Sequence, residues 1–361
     1  MKNSKGSKCK HKLRDSIIEY MMKINLWEEE LMGEIPTTFE KYGGLILFNS
    51  PSFSHSKWHE AGEDLWSLVC SLLNGDRIAI KGHIKDDTFR TPQVKLIYGK
   101  SSLVEFTDNG IKYRWDIEKT MFSRGNVTER HRIARLDCTN EVVVDLYAGI
   151  GYFTLPYLVH ANAKHLHACE WNPDALESLR YNLSLNGVSE RCTIYEGDNR
   201  LVCPKNIANR VNLGLIPSSE PSWEIACQAL LSTGGILYVH QNIESKVCSS
   251  KIAHCDACAN LKKTSPKLEG TATAAAKLVS RLEKDVIVSD SNNFSVTWKM
   301  PEWYSFSLHL SHKLLTFVES YHEGNWTVCV SEVFKVKSYA PHVDHIVLSV
   351  KCFPTTSQLL K

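Results

Sequence analysis

Apolar and polar positions alternate with two different rhythms along this chain. In the first third, Asp15 to Met32 reads as a helix, closed by Pro36 and the Gly43-Gly44 break, and Leu45 to Phe48 reads as a strand. Trp58, Leu65, Trp66, Val69, Leu72 and Leu73 then recur at helical spacing until Asn74-Gly75 stops them. Ile78–Ile80, Val94–Tyr98, Leu103–Phe106 and Ile111–Trp115 are short alternating strands, with Thr107-Asp-Asn-Gly110 as a hairpin turn. The pattern predicts a smaller N-terminal α+β domain over residues 15–119.

From Glu141 onward the rhythm changes. Val142–Leu146, Leu166–Glu170, Thr193–Tyr195 and Gly235–His240 are apolar strands separated by amphipathic helical stretches. Strand–helix alternation at this spacing predicts a parallel, doubly wound α/β sheet over residues 120–352. Residues 244–297 interrupt it. They are rich in Ser, Lys, Thr and Ala and read as a variable, partly disordered insertion. Leu308 to Tyr321 resumes helical spacing, Trp326–Val336 and His345–Cys352 read as closing strands, and 353–361 reads as a tail.

Composition adds little to this picture. The 361 residues are 43% apolar and 23% charged, as in ordinary globular proteins, and are enough for one large and one small domain. No apolar run is long enough to span a membrane, and the first residues lack the apolar stretch of a signal peptide, so a cytoplasmic protein is expected. Net charge is only +2. The charge is uneven, however: Lys2, Lys5, Lys8, Lys10, Lys12 and Arg14 all precede the first acid, Asp15. Residues 1–14 are expected as a basic flexible tail that either touches phosphates or is simply solvated. The 12 cysteines are scattered and expected to stay reduced. Only Cys255 and Cys258, beside His254, have ligand-like spacing. A structural zinc site needs four ligands, and no second pair completes this one, so no metal is expected.

The chemistry concentrates at Val142-Val-Val-Asp145-Leu-Tyr-Ala-Gly149-Ile-Gly151-Tyr-Phe-Thr154. A buried strand ends at a carboxylate and enters a glycine turn that opens a helix. A dinucleotide fingerprint would carry a third glycine where Thr154 stands, and a P-loop would carry Gly-Lys-Ser/Thr; neither is present. Glu170 ends the next strand, where an acid can accept the two ribose hydroxyls of a nucleoside. Asp198-Asn199 follows the third strand, where a polar pair can read an adenine edge. The helix between is marked by Pro173 at its start and Gly187 at its stop. Upstream, Ser123, Glu129 and Arg130 precede the first strand; a Ser and a cation could hold a carboxylate, or the Glu-Arg pair could simply be exposed. Asn212 to Ser219 forms a Pro-stiffened loop after the fourth strand. His342 and His345 precede a strand whose alternation sends them to different environments, which favours a structural role.

Several of these segments resemble the tRNA wybutosine-synthesizing protein 2 family of α-amino-α-carboxypropyltransferases. They are residues 145–156, 168–173, 197–200, the loop Leu-Gly-Leu-Ile-Pro-Ser-Ser at 213–219, and 336–348. The resemblance covers about 45–243 and 298–352; Met1–Lys41 and 244–297 do not match it. It implies a class I methyltransferase-like (Rossmann-like) fold. It further implies S-adenosyl-L-methionine as co-substrate, contacted by Ser123, Arg130, Glu170, Asp198 and Asn199. The implied partner is the anticodon loop of tRNA(Phe), with the N-terminal domain contacting the tRNA, and no obligate protein partner or membrane is implied. The implied reaction is attack of C7 of 4-demethylwyosine, at position 37, on the methionine Cγ, with methylthioadenosine leaving. Related tRNA guanine-37 N1-methyltransferases carry a shorter Asn-Leu-Pro motif where this chain has its longer loop. The alternatives are that methyltransferase activity, or a tRNA-binding protein with weakened activity.

Overall fold

The computed structural model describes residues 4–84, 91–120, 122–245, 286–287 and 301–355. Chain contacts divide it into two units: Met1–Arg124 with Gly149–Tyr152 and Asn172–Gly187, and the remainder.

In the first unit, α1 spans Ser4–Lys23 and is followed by a short 3-10 segment, Glu29–Glu34. The segment expected as a flexible tail is therefore helical from Ser4, and the helix expected to run to Met32 stops early. Leu13, Ile17 and Met21, spaced four apart, form the buried stripe that orders this helix, and Asn25 in the left-handed region (φ 58°) ends it. Strands β1 (Phe39–Tyr42) and β2 (Leu45–Asn49) precede helices α2 (Ser56–Glu60) and α3 (Gly62–Leu73). Strands β3 (Arg77–Ile84) and β4 (Pro92–Tyr98) complete a four-stranded sheet in the order β1-β2-β3-β4. Its core is aromatic. Phe53 meets Trp58 and Trp66 edge-on at 5.2 and 5.3 Å. The hairpin β5 (Leu103–Asp108) and β6 (Ile111–Asp116) turns on Asn109-Gly110, both at positive φ, as its sequence predicts. The unit also includes α6 (Pro173–Leu185), whose Asn182 accepts from Arg114 N at 2.7 Å and donates to Ile150 O at 3.0 Å. This bonding is why the unit boundary departs from the 119/120 division expected from the rhythm of the chain.

The second unit holds the large sheet. Helix α4 (Val127–Ile133) leads into β7 (Val142–Asp145); α5 (Thr154–Val159), β8 (His165–Glu170), β9 (Cys192–Glu196) and α7 (Asn199–Val202) follow. Then come β10 (Arg210–Leu213), α8 (Trp223–Ala229), β11 (Gly235–Glu244), β12 (Val286–Ile287), the helix Pro301–Tyr321, β13 (Trp326–Ala340) and β14 (Val343–Pro354). The strand order is β12-β13-β14-β11-β10-β7-β8-β9. The chain starts at β7, winds outward to β9, and returns on the other side of β7 through β10, which makes the doubly wound topology expected. Strands β7 to β11 run parallel, while β14 is antiparallel to both β11 and β13. That reversed strand separates this sheet from the dinucleotide-binding one, which is parallel throughout. Trp223 and Trp326 and the buried stripe Trp303, Leu310, Leu314 and Val318 fill the core beside it.

Among the described residues, no helix is long and apolar enough to cross a membrane, and no cluster of His, Cys, Asp or Glu could hold a metal ion. Met121, His254, Cys255 and Cys258, and nearly all of 244–297, lie outside the described residues.

Candidate functional site

The order reversal between β7 and β10 creates a crevice at the carboxyl ends of the strands, where doubly wound sheets bind ligands. Asp145 ends β7 there, but it does not open to a ligand. It is wholly buried; Oδ2 accepts from Thr154 Oγ1 at 2.8 Å and Oδ1 from Asn212 Nδ2 at 3.0 Å. Burial raises its carboxyl above the usual range, and these bonds partly oppose that. The carboxylate thus closes the glycine turn from 145 to 154 and ties β7 to β10 at the register pair Asn212–Asp145. Gly149 (φ 55°) and Gly151 (φ 102°) supply the left-handed turn that this closure requires. The carboxylate that the sequence places at the end of β7 therefore faces the protein rather than a ligand. A short hydroxyl and an amide in reach made it a clasp.

Glu170 and Asp198 are placed differently. Glu170 ends β8 partly exposed, with Oε1 accepting from Trp171 N at 2.9 Å. Its own carbonyl accepts from Gly197 N at 2.9 Å, so the chain leaving β9 is drawn to the tip of β8. Glu170 and Asp198 therefore share one edge of the sheet. Asp198 caps α7, accepting from Arg200 N at 3.0 Å and from Arg200 Nε at 2.9 Å. The Arg200 guanidinium holds its carboxyl below the ordinary range.

Asn199 has a different job from the one expected of it. Its side chain is buried, with Nδ2 donating to Leu146 O at 2.8 Å and Oδ1 accepting from Ser222 Oγ at 2.8 Å. Tyr147 Oη lies 2.6 Å from the same Ser222 hydroxyl. The amide pins the residues after β7 to the turn before α8 and supports the rim from below.

Arg130 is buried on α4, at 2% exposure. Ser123 belongs to the first unit, where its N–H donates to Tyr152 Oη at 2.9 Å and neighbouring Phe122 stacks on the Tyr152 ring.

Beside Arg130 lies a network that sequence reasoning missed. Glu129 is also fully buried and accepts from Arg132 Nε and Nη2, both at 2.8 Å. Burial raises the Glu129 carboxyl while Arg132 opposes the rise. His240 Nε2 lies 3.8 Å from Glu129 Oε1, and His240 Nδ1 lies 3.1 Å from His345 Nε2. Burial, more than neighbouring charge, keeps both imidazoles neutral, with His345 lowered to about 4. A proton on His345 Nε2 shared with His240 Nδ1 leaves His240 Nε2–H facing the carboxylate, the favourable arrangement. His345 is buried and His342 exposed, as expected, but not by alternation: His342 sits in the turn before β14 at φ 61°, and His345 opens a run of six consecutive buried residues. The pairing with His240, 105 residues away, left no local trace.

The Asn212–Ser219 loop is fastened to β11. Ser218 bridges Gln241, Asn242 N donates to Pro217 O at 2.9 Å, and Ser219 Oγ accepts from Trp223 Nε1 at 3.3 Å. These contacts hold the loop against β11 and the start of α8.

Comparison with known proteins places this geometry. The TRM5/TYW2 methyltransferase domain family matches residues 104–265, and the TYW2 N-terminal domain family matches 18–102. The tRNA wybutosine-synthesizing protein 2 homolog of Bos taurus is 43% identical over 91% of this chain and 73% of its own length. The chain belongs to the tRNA wybutosine-synthesizing protein 2 family. The Danio rerio homolog in this family is 41% identical over 98% of this chain and 81% of its own length. The solved structure of P. horikoshii TYW2 in complex with MeSAdo has the same fold. Its TM-score is 0.63 at 23% identity, over 95% of this chain and all of that one. The match from residue 18 corrects the expectation that Met1–Lys41 departs from the family. Leu31, Ile35 and Tyr42 there are core positions of the N-terminal fold, a constraint on packing rather than a readable motif.

Proposed function

We propose that this chain transfers the α-amino-α-carboxypropyl group of S-adenosyl-L-methionine to C7 of 4-demethylwyosine. The base stands at position 37, in the anticodon loop of tRNA(Phe), and methylthioadenosine is released. The observation that carries this reading is membership of the wybutosine-synthesizing family at 43% identity over 91% of the chain. The chemistry of the rim fits the donor. A partly exposed carboxylate at the tip of β8 suits a ribose diol, and a glycine turn lacking the P-loop lysine suits an adenosine without a triphosphate.

The sulfonium of the bound donor makes its attached carbons electrophilic, so the protein's work is orientation. Glu170 holds the ribose, Asp198 faces the adenine edge, Asn199 keeps that edge in place, and the Arg130 cation answers the methionine carboxylate. The Asn212–Ser219 loop borders the acceptor base. As C7 bonds to Cγ, the Cγ–sulfur pair leaves on the thioether and the C7 proton is lost. The N-terminal α+β region grips the tRNA, and the enzyme acts in the cytoplasm.

Product analysis tests the reading. Incubation with precursor tRNA(Phe) and S-adenosylmethionine yields methylthioadenosine and a matching mass gain at position 37. S-adenosylhomocysteine with a methyl gain would instead make the chain a methyltransferase.

A further inference from the structure

Near the end of β13 stands a cation that no described residue neutralises. Lys337 is partly buried, and a Cβ on Gly125 would lie 2.6 Å from its Nζ, so the ammonium is pressed against the turn that opens α4. Among the described residues no carboxylate pairs with it. Lys335 on the same strand, by contrast, pairs with Asp344 at 2.6 Å. Burial pushes the Lys337 ammonium below the usual lysine range, and His345, its register partner on β14, is neutral. Asn126, next to Gly125, has a buried Oδ1 with no donor. The ring contact of the ammonium is with Tyr339, 5.9 Å away, and that ring is 48% exposed. A single cation–π contact at an exposed ring offsets less than half-burying an unpaired cation costs. An anion arriving from solvent would offset the rest.

We propose that Lys337 and Tyr339 form a clamp for the RNA substrate, the ammonium holding a backbone phosphate and the ring stacking on a base. The inference rests on the RNA-modifying function argued above. RNA fits better than the carboxylate of the donor, because the whole tip from Ser338 to His342 is exposed and the ring lies open. A small carboxylate would engage the cation and leave the ring unused. A single strand offers a phosphate and a flat base at neighbouring positions.

The test measures tRNA(Phe) binding against salt for the unaltered chain, Lys337→Gln, Tyr339→Ala and Tyr339→Phe. Calorimetry with S-adenosylmethionine and thermal unfolding are run on each. Lys337→Gln weakens tRNA binding several-fold and lowers the salt slope by about one. Tyr339→Ala weakens it about fivefold or more with the slope unchanged, and Tyr339→Phe binds normally. Donor affinity holds in all three; the unfolding temperature holds in both Tyr339 variants and holds or rises in Lys337→Gln, which removes an unpaired, half-buried charge. Variants that bind tRNA as the unaltered chain does overturn the clamp. So does a Lys337→Gln chain that keeps RNA and loses the donor, since the lysine would then belong to the donor's carboxylate. An unaltered chain that binds S-adenosylmethionine but no tRNA overturns the RNA-modifying function itself, and the clamp with it.

Discussion

Asp145 ends β7 and Glu170 ends its neighbour β8, yet the two acids are held in opposite ways. Asp145 is sealed, with both oxygens bonded to Thr154 and Asn212. Glu170 stands partly open, with one oxygen on its own following backbone N–H. The same division separates Asn199, buried between Leu146 and Ser222, from Asp198 on the rim. A strand-end acid thus has two fates in this sheet. Where Thr154 and Asn212 seal both oxygens, the carboxylate becomes scaffold. Where the carboxylate stays partly exposed, as at Glu170, solvent still reaches it.

Substitution separates the two fates. Asp145→Ala strands a buried hydroxyl and a buried amide at about 1–3 kcal/mol each, so stability by chemical denaturation falls by roughly 2–5 kcal/mol. A fall below 1 kcal/mol would mean the clasp is not holding the turn. Glu170→Ala works the other way. On the proposed ribose-binding role, losing the carboxylate weakens S-adenosylmethionine about 10- to 100-fold by calorimetry, with the unfolding midpoint held. A drop in stability with donor affinity intact would move Glu170 to the scaffold side.

The smallest effect concerns pH and the buried pair His240–His345. Folding keeps His345 neutral down to about 4, whereas its ordinary value is 6.5, so the unfolded chain takes up the proton first. Its contribution is fully present above about 6.5 and is lost as pH falls toward about 4, the direction in which His240 acts too. His345→Gln keeps a polar group and removes that titration, so its stability curve flattens across this window while the unaltered chain's falls. Equal slopes would show that His345 takes up no proton on unfolding.

What could be read in the chain beforehand was the part set by local rules. The Asn109-Gly110 turn, the Pro173 start and Gly187 stop of α6, and the glycine turn through Gly149 and Gly151 after β7 each follow from backbone preferences of a few residues. The common edge shared by Glu170 and Asp198 followed from strand–helix alternation alone. The fates of Asp145 and Asn199 did not, because they depend on Asn212 and Ser222 arriving from later elements. The same holds for His240, whose partner sits three strands further along the chain, on β14. Helix α1 was misjudged at both ends for a related reason: a run of lysines looks soluble, while the stripe Leu13, Ile17 and Met21 that orders it acts only through the core it joins.

The reversed strand β14 has a consequence for how this protein is made. Because β14 lies between β11 and β13, the outer edge of β11 has no neighbour until synthesis has passed Val343–Pro354. A chain emerging from the ribosome carries a parallel sheet whose β11 border, as well as its permanent β9 edge, stays open throughout the translation of everything between β11 and β14. An open border of that kind is a template for pairing with other chains, so the half-made protein is in most need of chaperones just before its last strand appears.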